Sequence, residues 1–129
     1  MQFIQFLRRD LGSNTVGFAL VAPLLVGAFL SVSQIANVVN VQTVMHAAVK
    51  SGAREAGRYN ATLNDGIQET KDILASHGIT EITDISAVHK LVSGRQIVEI
   101  VIRKKYQIPW LNYSIELTAR GQAIDEKNF

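Results

Sequence analysis

Residues 16–32 read VGFALVAPLLVGAFLSV, and Ser31 is their one polar member. The run sits in a longer gap: between Asp10 and Lys50 there is no Asp, Glu, Lys or Arg for 39 residues. Extending the run to Val41 adds only Ser33, Gln34, Asn37 and Asn40 as polar interruptions. Crossing hydrocarbon takes about 20 helical residues, so the stretch is long enough to span a membrane. A buried core helix of a soluble domain is the competing reading, but so long an uncharged run is unusual in a chain of 129 residues. The gap also accounts for the composition. Charged residues make up only 19% of the whole, yet all 24 of them fall in the other 90 positions, an ordinary density for a soluble domain.

The flanks set an orientation. Arg8 and Arg9 precede the span, and a basic N-terminal flank favours the cytoplasmic side. Lys50, Arg54 and Arg58 lie well beyond the far apolar limit, which leaves the C-terminal part outside the inner membrane in a single-pass chain. A cleaved signal peptide is the alternative, with Ser31-Val32-Ser33 as its small-residue junction. Against it, the helical pattern runs on past that point. Apolar and small positions recur at Val38, Val41, Met45, Ala48, Gly52 and Ala56, widened by Val49 and Ala53, in steps of three and four. We therefore expect one helix from Thr15 to Arg58, about 66 Å long at 1.5 Å per residue. Its face of Val38, Met45, Val49, Gly52 and Ala56 is the expected seat for a sheet. In the apolar half, Ala19, Pro23, Gly27 and Ser31 form a row four apart that suits packing against another helix in a bilayer. Pro23 removes one backbone hydrogen bond, a loss that membrane helices tolerate.

The remainder reads as a small α+β piece. Leu63, Ile67, Thr70 and Leu74 mark a short amphipathic helix over Thr62–His77, with Gly78 as its C-terminal cap. Ile79, Ile82, Ile85 and Val88 suggest a first strand, and Ser93-Gly94 a turn. Gln96–Ile108 alternates most strongly, with Val98, Ile100 and Ile102 on one face and Glu99, Arg103 and Lys105 on the other. Tyr113–Ala119 repeats the pattern after Pro109-Trp110-Leu111-Asn112. Residues 59–129 are too few for a robust core of their own, so the outer half of the long helix is the natural cover for an antiparallel sheet.

Arg8-Arg9-Asp10-Leu11-Gly12-Ser13, followed by Val16-Gly17-Phe18-Ala19-Leu20-Val21-Ala22-Pro23-Leu24-Leu25, resembles the TadE-like pseudopilins of the tight-adherence (Tad/Flp) type IV pilus system. Ala53–Arg58 and Glu116–Arg120 are similar to the same family, while the sheet region matches only in texture. The resemblance implies an α+β, type IV pilin-like fold: a long N-terminal helix, half in the membrane, packed on a small antiparallel sheet, with a short second helix. It divides the chain into a basic leader peptide (1–12), a membrane helix (13–41) and an extracytoplasmic domain (42–129). It implies cleavage by a prepilin peptidase between Gly12 and Ser13, with Arg8 and Arg9 holding that site at the cytoplasmic face. It also implies other pilins of the same pilus, an inner-membrane assembly platform and membrane lipid as partners. One departure stands out. The family pattern expects Glu before Phe, five residues after the cut, where this chain has Gly17. In related pilins that Glu neutralises the terminal amine of a neighbouring subunit inside the apolar filament, where an unpaired charge is costly. A subunit with Gly17 would occupy a tip or initiation position, as a pseudopilin lacking this Glu does in type II secretion, or would act from the membrane. A degenerate copy is the plainer alternative.

Other features point to little chemistry. His46, His77 and His89 are far apart and lack metal-ligand spacing, so no metal is expected. The absence of Cys excludes disulfides and thiol-based sites. A net charge of +2 is too small for a nucleic-acid footprint. Asn60-Ala61-Thr62 and Asn112-Tyr113-Ser114 match glycosylation sequons that a bacterial reading leaves idle. Arg103-Lys104-Lys105 reads as a solvated, edge-protecting basic run. Trp110 and Tyr113 form either a sticky loop for a partner or surface, or a cap on the core. No catalytic grouping and no cofactor are expected. The functions in play are thus a minor pilin-like subunit, an unprocessed single-pass protein that binds an envelope partner, and a secreted small domain.

Overall fold

A computed structural model describes the backbone of residues 2–109 and 111–128, and side chains for 14–109 and 111–127. The element order is α1 (Gln2–Gly57), α2 (Leu63–Ser76), β1 (Asp84–Val92), β2 (Arg95–Ile108), β3 (Tyr113–Ile124) and a closing 3-10 turn, Glu126–Asn128. The fold is α+β and pilin-like: a long apolar N-terminal helix, a short helix and a three-stranded antiparallel sheet in the order β1-β2-β3. The chain divides into two units, Met1–Asn37 and Val38–Phe129. Helix α1 runs through both, starting earlier than the Thr15 expected from the apolar pattern. Pro23 is the one proline within it.

In the first unit the described part of α1 carries its large apolar side chains in the open. Phe18, Leu24 and Phe29 are 73%, 75% and 71% exposed. The most apolar 18-residue window of α1 has a mean hydropathy of 2.2, and none of it is buried. A helix this long and apolar is able to cross a membrane, and a soluble core helix would be buried instead.

The second unit has a core. Met45, Ala48, Val49, Ala53 and Ala56 of α1 meet Leu74 of α2, Val98, Ile100 and Ile102 of β2, and Leu117 and Ala119 of β3. The two helices are joined through Thr62, which caps α2. The Asp65 N–H donates to the Thr62 hydroxyl (3.3 Å), and Asp65 Oδ2 accepts from the Thr62 N–H at 2.7 Å. At the other end Gly78 takes φ +75°, the Gly78 N–H donates to Ala75 O and the Ile79 N–H to Leu74 O, which stops the helix with Ile79 tucked into the core.

Two strand expectations change. Ile79 and Ile82 precede β1, because Ile79 belongs to the α2 stop. Strand β3 continues through Gly121 to Ile124, five residues beyond Ala119. The Arg103-Lys104-Lys105 run lies on β2 where β1 ends: Arg103 pairs with Asp84, while Lys104 and Lys105 pair with β3 alone. Ser93 and Gly94 turn the β1–β2 hairpin with φ of 51° and 79°, as a two-residue loop matched to strand twist demands.

Candidate functional site

The feature that organises the second unit is the seat of α1 on the sheet and on α2. It is built from glycine and alanine, so backbones touch rather than side chains. A methyl group added at Gly52 would lie 2.6 Å from Gly66 O and 1.9 Å from the Thr70 hydroxyl. One added at Gly66 would meet the Ala56 methyl at 2.5 Å and Gly52 O at 2.6 Å. One added at Gly121 would lie 2.4 Å from the Val49 carbonyl. Helix α1 is therefore locked between α2 and β3 at distances that no larger residue permits. Polar contacts complete the seat. Gln42 Nε2 donates to Thr118 O on β3 (2.9 Å), and the buried Thr70 hydroxyl donates to Gly66 O (2.8 Å).

Of the residues singled out for this seat, Met45, Val49, Gly52 and Ala56 are buried and Val38 is half-buried. The row Ala19, Pro23, Gly27 and Ser31 is exposed, and the Ser31 hydroxyl donates to Gly27 O (2.8 Å). Gly17 is likewise exposed, and a Cβ there would meet nothing within 4 Å. The side chains of Arg8, Arg9, Ser13 and Trp110, and the surroundings of Gly12, lie outside the described residues. Tyr113 is 66% exposed at the start of β3.

Sequence reasoning passed over Glu99. Alternation puts it on the sheet face away from the helices, yet it is only 3% exposed. Lys90 Nζ donates to one oxygen at 2.5 Å and Gln122 Nε2 to the other at 2.6 Å. Those two hydrogen bonds, the Lys90 one foremost, hold the Glu99 carboxyl below its usual range, burial opposes them, and Arg120 adds an attractive charge. A second buried carboxylate, Asp125, pairs with His89 Nδ1 at 3.2 Å and accepts the Lys127 N–H at 3.1 Å. Lys127 Nζ in turn donates to Ala61 O, which ties the C-terminal turn to the link between α1 and α2. Register could have found part of the first cluster, since Gln122 stands opposite Glu99, whereas Lys90 pairs with Ile97 and reaches Glu99 on the diagonal. Among the described residues no group of three His, Cys, Asp or Glu could hold a metal ion.

An unburied apolar helix that continues into a small-residue seat on a sheet is the arrangement on which comparison with known families bears. Residues 12–54 match the TadE-like protein family. No curated protein and no solved structure matched in the same comparisons. The TadE-like match covers a third of the chain, from Gly12 through the apolar run to Arg54 in the packed half of α1. It points to a Tad pilus-associated protein. Together with the apolar helix it supports a membrane-anchored, single-pass chain.

Proposed function

We propose that this chain is a minor pilin-like subunit of a Tad/Flp pilus, with a structural rather than an enzymatic role. A prepilin peptidase cuts after Gly12 at the cytoplasmic face of the inner membrane, and the subunit with Ser13 at its new terminus takes part in pilus initiation, assembly or tip formation. Its C-terminal unit then lies outside that membrane, and its partners are other pilins, the assembly platform and lipid. The carrying observation is the extent of the TadE-like match, which begins at Gly12 and ends inside the packed half of α1. Residues 1–11 of the leader are left outside it. Large exposed side chains from Val16 to Val32 supply the surface that lipid, or neighbouring apolar helices, would cover.

N-terminal sequencing of the protein from native membranes is the test. A start at Ser13 is expected. An intact Met1 in cells with an active prepilin peptidase would instead leave an unprocessed anchored protein, and a start near Gln34 a secreted domain. Gly17 gives a second handle. Without a carboxylate at that position the subunit cannot neutralise the amine of a subunit ahead of it, which suits a tip or initiation position. The open space around Gly17 admits a glutamate without disturbing the helix. Gly17→Glu is expected to move the subunit from the tip into the shaft, read by immunogold labelling. Unchanged piliation and unchanged position would remove the tip assignment.

A further inference from the structure

We propose that the outward face of the α1–α2 pair joins two copies of this chain about a two-fold axis, with Lys50 and Arg54 of each copy set against Asp65, Glu69 and Asp72 of the other. This concerns the second unit alone and rests on neither pilus membership nor cleavage.

Contacts within the unit fix how the two helices run. The Thr70 hydroxyl lies 3.5 Å from Ala48 O, Glu69 accepts from the Ser51 hydroxyl at 3.4 Å, and Gly66 faces Gly52 and Ala56. As α1 advances, its contacts on α2 step backwards, so the helices are antiparallel. With Ser51 level with Glu69, Lys50 is level with Thr70 and Arg54 with Gly66. Lys50 then stands about 1.5 Å from the height of Glu69 and about 3 Å from that of Asp72. Arg54 stands about 1.5 Å from the height of Asp65. Yet the two sets do not meet within one copy. Lys50 and Arg54 come two residues before and after Gly52, which turns both about 160° from the backbone contact with α2. Asp65, Glu69 and Asp72 fall within about 60° of one another on α2. That side lies away from the buried Thr70 and Leu74.

Charge makes the two rows complementary. From Val38 to Gly57, α1 carries Lys50, Arg54 and one acid, Glu55, which pairs with Arg58 just beyond the helix. Helix α2 carries three acids and one cation, Lys71, which is turned about 100° from Asp72. Lys50, Arg54, Asp65 and Asp72 are exposed and Glu69 is half-buried. Among the described residues none of these five has an ion-pair partner. A two-fold axis along the seam between α1 and α2 lays α1 of one copy over α2 of the other without changing heights. Each cation then meets carboxylates at its own level, twice over, in the closed contact of a symmetric dimer. Small residues on α1 beside the seam, Ala47 and Ser51, let the second copy approach. Both rows belong to one surface of one chain, so a second copy satisfies all of them. The face measures about 20 by 20 Å, or about 400 Å² per copy, which makes the contact weak and reversible.

The chain has no cysteine, so introduced thiols report this contact alone. Two differently tagged full chains, one with Lys50→Cys and the other with Asp72→Cys, are reconstituted together in phosphatidylcholine vesicles and oxidised. A disulfide joining the two tags is expected. Lys71→Cys in place of Asp72→Cys is one residue away but about 100° round the helix, and should give almost none. Arg54→Glu in both chains sets like charges against each other and should cut the yield with Asp72→Cys about tenfold. Arg95→Glu, an equal change of net charge at the start of β2, should leave that yield unchanged. Salt at about 1 M, which screens charges beyond about 3 Å, should lower it. Hydrogen exchange of the β2 amides at the parental rate shows that each variant is folded. A yield with Asp72→Cys no greater than with Lys71→Cys overturns the proposal. A yield that ignores Arg54→Glu also overturns it, since the copies would then be held together elsewhere. Cross-linking of Lys50→Cys to added envelope proteins in place of a second copy would make the partner foreign and overturn the two-fold assignment.

Discussion

One helix is made of two materials. Before Val38, α1 turns Phe18, Leu24 and Phe29 outward, each more than 70% exposed. From Met45 to Ala56 it keeps Met45, Ala48, Val49, Ala53 and Ala56 at 1% or less. Both halves are apolar, so hydrophobicity alone does not separate them. Size does. Large side chains in the first half need a partner that conforms to them, and fluid lipid does so at any rotation of the helix. Small side chains in the second half need a partner of fixed shape, and Gly66 and Gly121 supply it by backbone contact.

Exchanging size between the halves should break that contrast most visibly. Gly121→Val would place a side chain 2.4 Å from the Val49 backbone, where no rotamer gives relief, so α1 and β3 must separate. We expect a loss of about 4 kcal/mol, enough to unfold much of the second unit. Hydrogen exchange of the β2 amides in the reconstituted full chain measures it. Full protection in that variant would mean that the seat is looser than its distances state.

The sheet face away from the helices offers a different test, since its buried group is charged. Glu99→Gln keeps the shape and removes the charge that Lys90 and Gln122 serve, with an expected loss of about 2 kcal/mol. The sign with pH follows from the direction of the shift. The Glu99 carboxyl is held below its ordinary value of 4.5, so its contribution is complete above that value and disappears as pH falls through the lower, folded-state value. Acid unfolding should therefore flatten in Glu99→Gln below about pH 4.5 relative to the parent chain. Equal acid sensitivity in both would assign the effect to other carboxylates. Smaller still is Thr62→Ala, which removes the hydroxyl that caps α2 and costs about 1 kcal/mol, read as faster exchange of the Asp65 and Gly66 amides.

Much of this was legible in the chain, for physical reasons. The charge gap from Leu11 to Val49 and the steps of three and four marked α1 and its buried face, because burial imposes a period that any reader can count. Thr62 and Gly78 bracketed α2 because capping depends on local chemistry. What was hidden depended on tertiary contact. The alternating pattern was read only to Ala119, and the close approach of α1 at Gly121 belongs to the stretch where β3 runs on. The burial of Glu99 requires knowing that β2 is central and which residues flank it.

The smallest predicted effect is the sharpest check on the comparison. A Cβ at Gly27 would meet nothing within 4 Å, although the sequence around it is as apolar as the seat. If size matters only where a fixed partner exists, Gly27→Val should leave the exchange of β2 and β3 within about 0.5 kcal/mol of the parent, where Gly121→Val collapses it. Any effect should surface instead in assembly, because Gly27 belongs to the row through which another membrane helix would approach. Co-purification of other pilus subunits from native membranes separates the two. Loss of partners with an intact second unit would make the row a contact face. Partners retained at the parental level would leave this half of α1 with lipid as its sole requirement, and length and apolarity as the only properties that its sequence must preserve.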